Sequence, residues 1–160
     1  MVKPRSKGQR GEREVAHLWR MAGYLRACPT PGSGGLRPYG AGDLSPWPGD
    51  IAFIRPWLCE VKFDEHVKDH SRGWVGSSFV RARLRELTKL ADRHIIGAVR
   101  PRPVLFARGS FEDWRVFVPA ADFLLWCGTY ILNADPHEWV ELSTSQFFEL
   151  ALVLEPEAQP

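Results

Sequence analysis

Asp50, Glu60 and Lys62 are the residues whose types and spacing point most directly to chemistry in this chain of 160 residues. Nine residues separate Asp50 from Glu60, and Lys62 follows two positions later. Side chains two apart on an extended strand point to one face, so Glu60 and Lys62 are expected to share a face. A hairpin between DIAFI (50–54) and LCEVKF (58–63) would set Asp50 beside Glu60. Two converging carboxylates make a hard-oxygen site suited to Mg²⁺, with Mn²⁺ as a substitute. The backbone carbonyl of Val61, between Glu60 and Lys62, is a candidate third ligand. A divalent ion held there would activate a water and polarise a phosphoryl oxygen. A neighbouring ammonium would orient the nucleophile or stabilise developing negative charge. These are the minimal parts of a phosphodiesterase. The spacing alone is common, since a strand reading ExK is usually a solvated face with a cross-strand pair. Here the setting is apolar: Glu60 lies between Cys59 and Val61, and Asp50 opens the run IAFI. Carboxylates edging buried strands are costly unless something pairs them.

Two further residues are candidates on weaker grounds. Glu12 sits among Lys7, Arg10 and Arg13, where a surface ion pair at helical spacing explains it equally well. Ser33, in PGSGG (31–35), has a plain reading as turn chemistry.

The elements that must position these residues follow from periodicity and breakers. Residues 1–6 read as a flexible basic arm, and Lys7 to Ala22 as a helix with Val15, Leu18, Trp19 and Ala22 on one stripe. Gly23 is a natural stop, and Tyr24 to Cys28 is a candidate short strand. The Gly- and Pro-rich stretch 29–49 reads as a loop, which at that length is usually functional or mobile. After the proposed hairpin, whose turn is Arg55-Pro56, residues 64–76 read as a second loop. Ser77 to Arg93 predicts an amphipathic helix with Val80, Leu84, Leu87 and Ala91 inward. Ile95–Val99 and Val104–Ala107 are β-type runs split by the breaker RPRP, and Trp114–Val118 is another strand. Pro119 opens a short helix through Trp126. Val140–Leu142 extends the sheet, and Ser143 with Gln146 fits a capping box ahead of an apolar helix to about Val153. Residues 154–160 are expected to fray. This order predicts a single α/β domain over 1–160, with a mixed β-sheet flanked by α-helices.

Composition narrows the class. The hydrophobic share of 44% and charged share of 25% are those of a globular chain, and no apolar run reaches the roughly 18–20 residues of a membrane span. The basic start lacks the apolar segment of a signal peptide. Cys28, Cys59 and Cys127 are odd in number and far apart, which argues against a disulfide framework or a zinc ribbon and for a reducing cytoplasm. The net charge of +2 hides an asymmetry: residues 1–26 carry seven basic residues against two acids, and 79–102 carry seven against two. Residues 135–160 carry six acids and no Lys or Arg. Two basic segments on a near-neutral chain suggest a surface for a polyanion, although solvated helix faces look alike.

KGQRGERE (7–14), PGSGG (31–35), PGDIAFI (48–54) and LCEVKF (58–63), in this order, resemble the archaeal-type Holliday-junction resolvases of the PD-(D/E)XK nuclease superfamily. The resemblance spans about residues 7–95 and continues more loosely to Val118. It implies a restriction-endonuclease-like core and catalytic roles for Glu12, Ser33, Asp50, Glu60 and Lys62. It implies Mg²⁺ held by Asp50, Glu60 and the Val61 carbonyl, with Glu12 as a further possible ligand. It also implies a homodimer that cuts paired strands of branched, four-way DNA, without a membrane or a small-molecule cofactor, in a prokaryotic cell or phage-infected host. Lys3, Arg5, Lys7, Arg10, Arg13, Arg81, Arg83, Arg85 and Lys89 would then contact phosphates, which fixes position rather than sequence. The chain departs from that pattern in the longer stretch between Ser33 and Asp50, which brings a spare acid, Asp43, and in the Trp-containing, acidic tail beyond Val118. The alternatives are another endonuclease on the same core, acting on duplex, flap or branched DNA, and a non-catalytic DNA-binding scaffold.

Overall fold

The computed structural model describes residues 4–30, 49, 51–52, 54, 56–63, 78–95, 97–109, 113–128 and 138–154. Helix α1 (Pro4–Met21) opens the chain, followed by the short strands β1 (Cys28–Pro29) and β2 (Ile51–Ala52). Then come β3 (Trp57–Phe63), α2 (Ser78–Arg93), β4 (Arg102–Arg108), β5 (Arg115–Pro119), α3 (Ala120–Trp126), β6 (Trp139–Ser143) and α4 (Thr144–Leu154). The protein is an α/β structure with a four-stranded mixed sheet in the order β3-β4-β5-β6, flanked by helices. Strands β3 and β4 are parallel, and the other two pairings are antiparallel. No helix among the described residues is long and apolar enough to cross a membrane.

Strand alternation divides the core. Trp57, Cys59 and Val61 of β3 bury one way, with Val104 and Phe106 of β4 and Val116 and Val118 of β5. Against that face pack α1, through Val15, Ala16 and Trp19, and α4, through Phe147 and Ala151. Trp19, Trp57, Phe106, Phe147 and Phe148 meet there with ring centroids 5.1–6.1 Å apart, within the range of favourable aromatic pairs. The opposite face buries Leu58, Leu105, Ala107 and Phe117 beneath Val80, Leu84, Leu87 and Ala91 of α2. Those four α2 residues are the apolar stripe that a 3.6-residue period selects.

Several local expectations hold. The capping box forms: the Ser143 hydroxyl accepts from the Gln146 N–H at 3.2 Å, and Gln146 Oε1 accepts from the Ser143 N–H at 2.9 Å. The short helix after Pro119 is α3.

Others are corrected. The helix begins at Pro4, so residues 4–6 of the expected arm are helical; proline suits a first turn because the N–H it lacks would have no partner. Tyr24 to Ala27 form turns, closed by bonds from the Tyr24 N–H to the Trp19 carbonyl and from the Ala27 N–H to the Tyr24 carbonyl. Gly23, at φ 102°, makes the reversal, so strand pairing starts only at Cys28. The described pairing of β2 is with β1, antiparallel, and not a hairpin ladder with β3. Ile95 and Val99 are about half exposed beside Gly97 at φ +61°, so this β-type run forms no buried strand. The proposed breaker lies at the start of β4, with Pro103 in register with Leu58.

At the far end of the sheet, Arg100 bonds Asp92 of α2 at 2.8 Å and Asp122 of α3 at 2.7 Å. Asp122 is buried, and burial raises its carboxyl above the ordinary range despite the opposing attraction of Arg100. The Asp92 contact fixes the end of α2 beside the start of β4, so its first turn is directed toward the carboxyl ends of the parallel strands.

Candidate functional site

Glu60 and Lys62 occupy the carboxyl half of β3, the edge strand of the four-stranded sheet. Their register partners on β4, Leu105 and Ala107, belong to the cluster under α2. Glu60 and Lys62 therefore share the α2 face, as strand alternation requires. The Lys62 ammonium lies 2.8 Å from Glu60 Oε1, with side-chain exposures of 30% and 18%. A carboxylate this enclosed is costly without a counter-charge, and Lys62 supplies one.

Position 50 and Ser33 lie outside the described residues, as does Lys3, and the side chains of Arg5 and Lys7 are likewise not described. The neighbour of Asp50 is informative. A Cβ added to Gly49 would sit 3.0 Å from the Cys59 carbonyl oxygen and 3.3 Å from its nitrogen. Glycine lets its backbone approach that of Cys59, the residue before Glu60. Among the described residues no three His, Cys, Asp or Glu side chains converge. The donor chemistry at Glu60, a half-shielded carboxylate next to a backbone carbonyl, fits a hard divalent cation rather than a thiophilic one.

Glu12 is placed differently from Glu60. At about 100° per residue, Glu12 falls on the same stripe of α1 as the buried Val15, Ala16 and Trp19, Gly11 lies at the edge of that stripe, and Glu14 lies beyond Gly11. A Cβ on Gly11 would approach Phe63 Cβ and Trp114 Cη2 at 3.2 Å and Val61 Cγ1 at 3.5 Å. Val61 and Phe63 project opposite to Glu60 and Lys62, so α1 covers the other face of β3. Glu12 is half-buried there.

Glu14, which sequence reasoning did not single out, carries a dense network. Its Oε2 accepts from Arg108 at 2.7 Å and from the Trp114 indole N–H at 3.2 Å, and its Oε1 pairs with Arg10 at 2.9 Å. The Arg108 guanidinium also lies 4.8 Å from the ring centroids of both Phe63 and Trp114. Only the Arg10–Glu14 spacing was visible along the chain; Arg108 arrives from β4 and Trp114 from just before β5.

The α2 basic residues separate by flank. Arg81 lies 5.2 Å from the Trp139 ring centroid, so its flank faces β6. Arg83 is on the opposite flank, toward β3, stacked on Phe79 at 5.5 Å and paired with Glu86 at 3.0 Å. Arg85 and Lys89 point outward and are exposed, as are Arg10 and Arg13 on the outer face of α1. The expected phosphate-contacting residues thus form separate groups, with Arg83 on the flank of α2 opposite Arg81. No protein-family model, no curated protein and no solved structure matches this chain.

Proposed function

We propose that this protein is a metal-dependent endonuclease on a restriction-endonuclease-like core, which nicks four-way DNA junctions as a homodimer. The observation that carries this reading is the close Glu60–Lys62 pair on one face of an edge strand, half-shielded from water at the carboxyl end of a parallel strand pair. Ligand sites of open α/β sheets favour that end. Glu60, the Val61 carbonyl and Asp50 would hold Mg²⁺, with Glu12 an added candidate. The ion supplies Lewis acidity at the phosphoryl group and activation of the attacking water. Lys62 places a positive charge where negative charge grows on the phosphate, and its contact with Glu60 holds that charge in position. Arg83, Arg85, Lys89, Arg10 and Arg13 attract and align the DNA backbone without reading bases. A two-fold dimer suits a pseudo-two-fold junction because one operation places two sites.

The test is cleavage of a labelled four-way junction and of linear duplex, each with Mg²⁺ or EDTA, by wild type, Glu60→Gln and Lys62→Met. Paired symmetric nicks on the junction are expected, abolished by EDTA and slowed roughly 10²- to 10³-fold by either substitution. Equal cutting of duplex would make it a general endonuclease. Binding without cutting by wild type would overturn catalysis and leave a DNA-binding scaffold.

A further inference from the structure

The strand register carries a row of residues across the whole sheet. Lys62 of β3 pairs with Ala107 of β4, Ala107 with Arg115 of β5, and Arg115 with Ser143 of β6. Residues directly opposite on neighbouring strands project to the same face, so Lys62 and Arg115 share the α2 face. Two strand spacings, about 10 Å, separate their backbones. The next row inward is Glu60, Leu105, Phe117 and Glu141. Each cation has a carboxylate of that row as its partner: Lys62 has Glu60 at 2.8 Å, and Arg115 has Glu141 at 3.6 Å.

The two pairs are not equivalent. Five other arginine–carboxylate contacts, those of Arg10, Arg83, Arg108 and the two of Arg100, run from 2.7 to 3.0 Å. At 3.6 Å the Arg115 contact is too long for a hydrogen bond, so among the described residues its planar fork of donors has no hydrogen-bond partner. Arg115 is also 48% exposed. Phe79 and Val80, in the first turn of α2, pack on the apolar cluster of this face, which contains Ala107, and Arg81 of the same turn lies against Trp139.

We propose that Arg115 is a second phosphate-binding residue of the DNA site, gripping the backbone of the strand whose neighbouring phosphate lies at Lys62. This rests on the nuclease reading above. The DNA backbone then follows the carboxyl edge of the sheet, from β3 past the start of α2 to β5. Arginine suits the position because its fork matches two phosphate oxygens, whereas a lysine there offers only a point charge. Glu141 competes with the phosphate for the same guanidinium.

The experiment is fluorescence anisotropy of a labelled four-way junction in EDTA over a salt series, with wild type, Arg115→Gln and Glu141→Gln. Arg115→Gln is expected to weaken binding roughly five- to tenfold and to lower the slope of log K against log salt by about one. Glu141→Gln, which removes the competitor, is expected to tighten binding, a sign that a misfolded variant would not give. If wild type binds and Arg115→Gln keeps its affinity and slope, Arg115 is not a phosphate contact and the nuclease reading stands. If Glu141→Gln weakens binding as Arg115→Gln does, the pair is structural and the proposal fails. If wild type does not bind DNA, the nuclease reading fails and takes this proposal with it.

Discussion

Helix α1 contains two glycines that differ in one respect, and replacing each by alanine isolates how tightly the helix is docked. Gly8 is exposed, and an added Cβ would meet nothing within 4 Å. Gly11 is buried, and the same Cβ would meet Phe63 Cβ and Trp114 Cη2 at 3.2 Å. Alanine is favoured over glycine inside a helix by about 0.8–1.0 kcal/mol. Gly8→Ala should therefore stabilise by up to about 1 kcal/mol. At Gly11 the same gain opposes overpacking, which costs about 1–3 kcal/mol in a filled core. Phe63 Cβ is fixed to the β3 backbone and cannot turn aside, so α1 itself must shift. The net expectation for Gly11→Ala is a loss of about 0–2 kcal/mol. Helix propensity largely cancels between the two variants, leaving the overpacking contribution as their difference. For a difference of about 2 kcal/mol and a urea slope of about 2 kcal/mol/M, the unfolding midpoints should separate by about 1 M. The measurement is urea unfolding followed by tryptophan fluorescence. A Gly11→Ala midpoint equal to or above that of Gly8→Ala would refute the tight docking of α1 on β3.

Two further outcomes are expected from the charged groups. Arg108→Ala should cost about 2–3 kcal/mol, because it strips a largely enclosed carboxylate of its closest partner and removes a cation held between two rings. Arg10→Ala, whose side chain is 69% exposed, should cost less than about 0.5 kcal/mol; urea unfolding that ranked the two the other way would refute this assignment. For Asp122, burial raises the folded-state carboxyl above its ordinary value of 3.8. Its contribution to stability is therefore full below pH 3.8 and is lost as pH rises through the raised folded value. Asp122→Asn removes this titration, so its stability relative to wild type should rise with pH across that window; a flat or falling difference would count against a raised carboxyl.

Much of the fold could be read along the chain because its signals are local. The stripes of α1 and α2 follow from a period of 3.6 residues, and the cap at Ser143 from a four-residue motif. The common face of Glu60 and Lys62 follows from a period of two. None of these depends on where the rest of the chain goes. The sequence also shows carboxylates in apolar runs, which is why the candidate site could be named before any contact was known.

Pairing is a different kind of fact. Nothing within LCEVKF states that its partner is the parallel strand β4, or that Ile51–Ala52 pairs with Cys28–Pro29 instead. Ile95–Val99 has the composition of a strand, yet its Ile95 and Val99 lie about half exposed, while the Pro-containing start of β4 enters the sheet. Hydrogen-bond partners along a strand edge are chosen by which segment best fills the core, and that choice joins residues far apart in the chain. The same holds for charges: Glu14 meets Arg108 across 94 positions, and Arg115 joins the Lys62 row only through two successive registers. The amino-acid sequence by itself determined which residues are inward and which carboxylate and lysine face the same way. The tertiary structure alone decided which distant arginine shares their row of the sheet, because register and docking are set by the packing of the whole sheet.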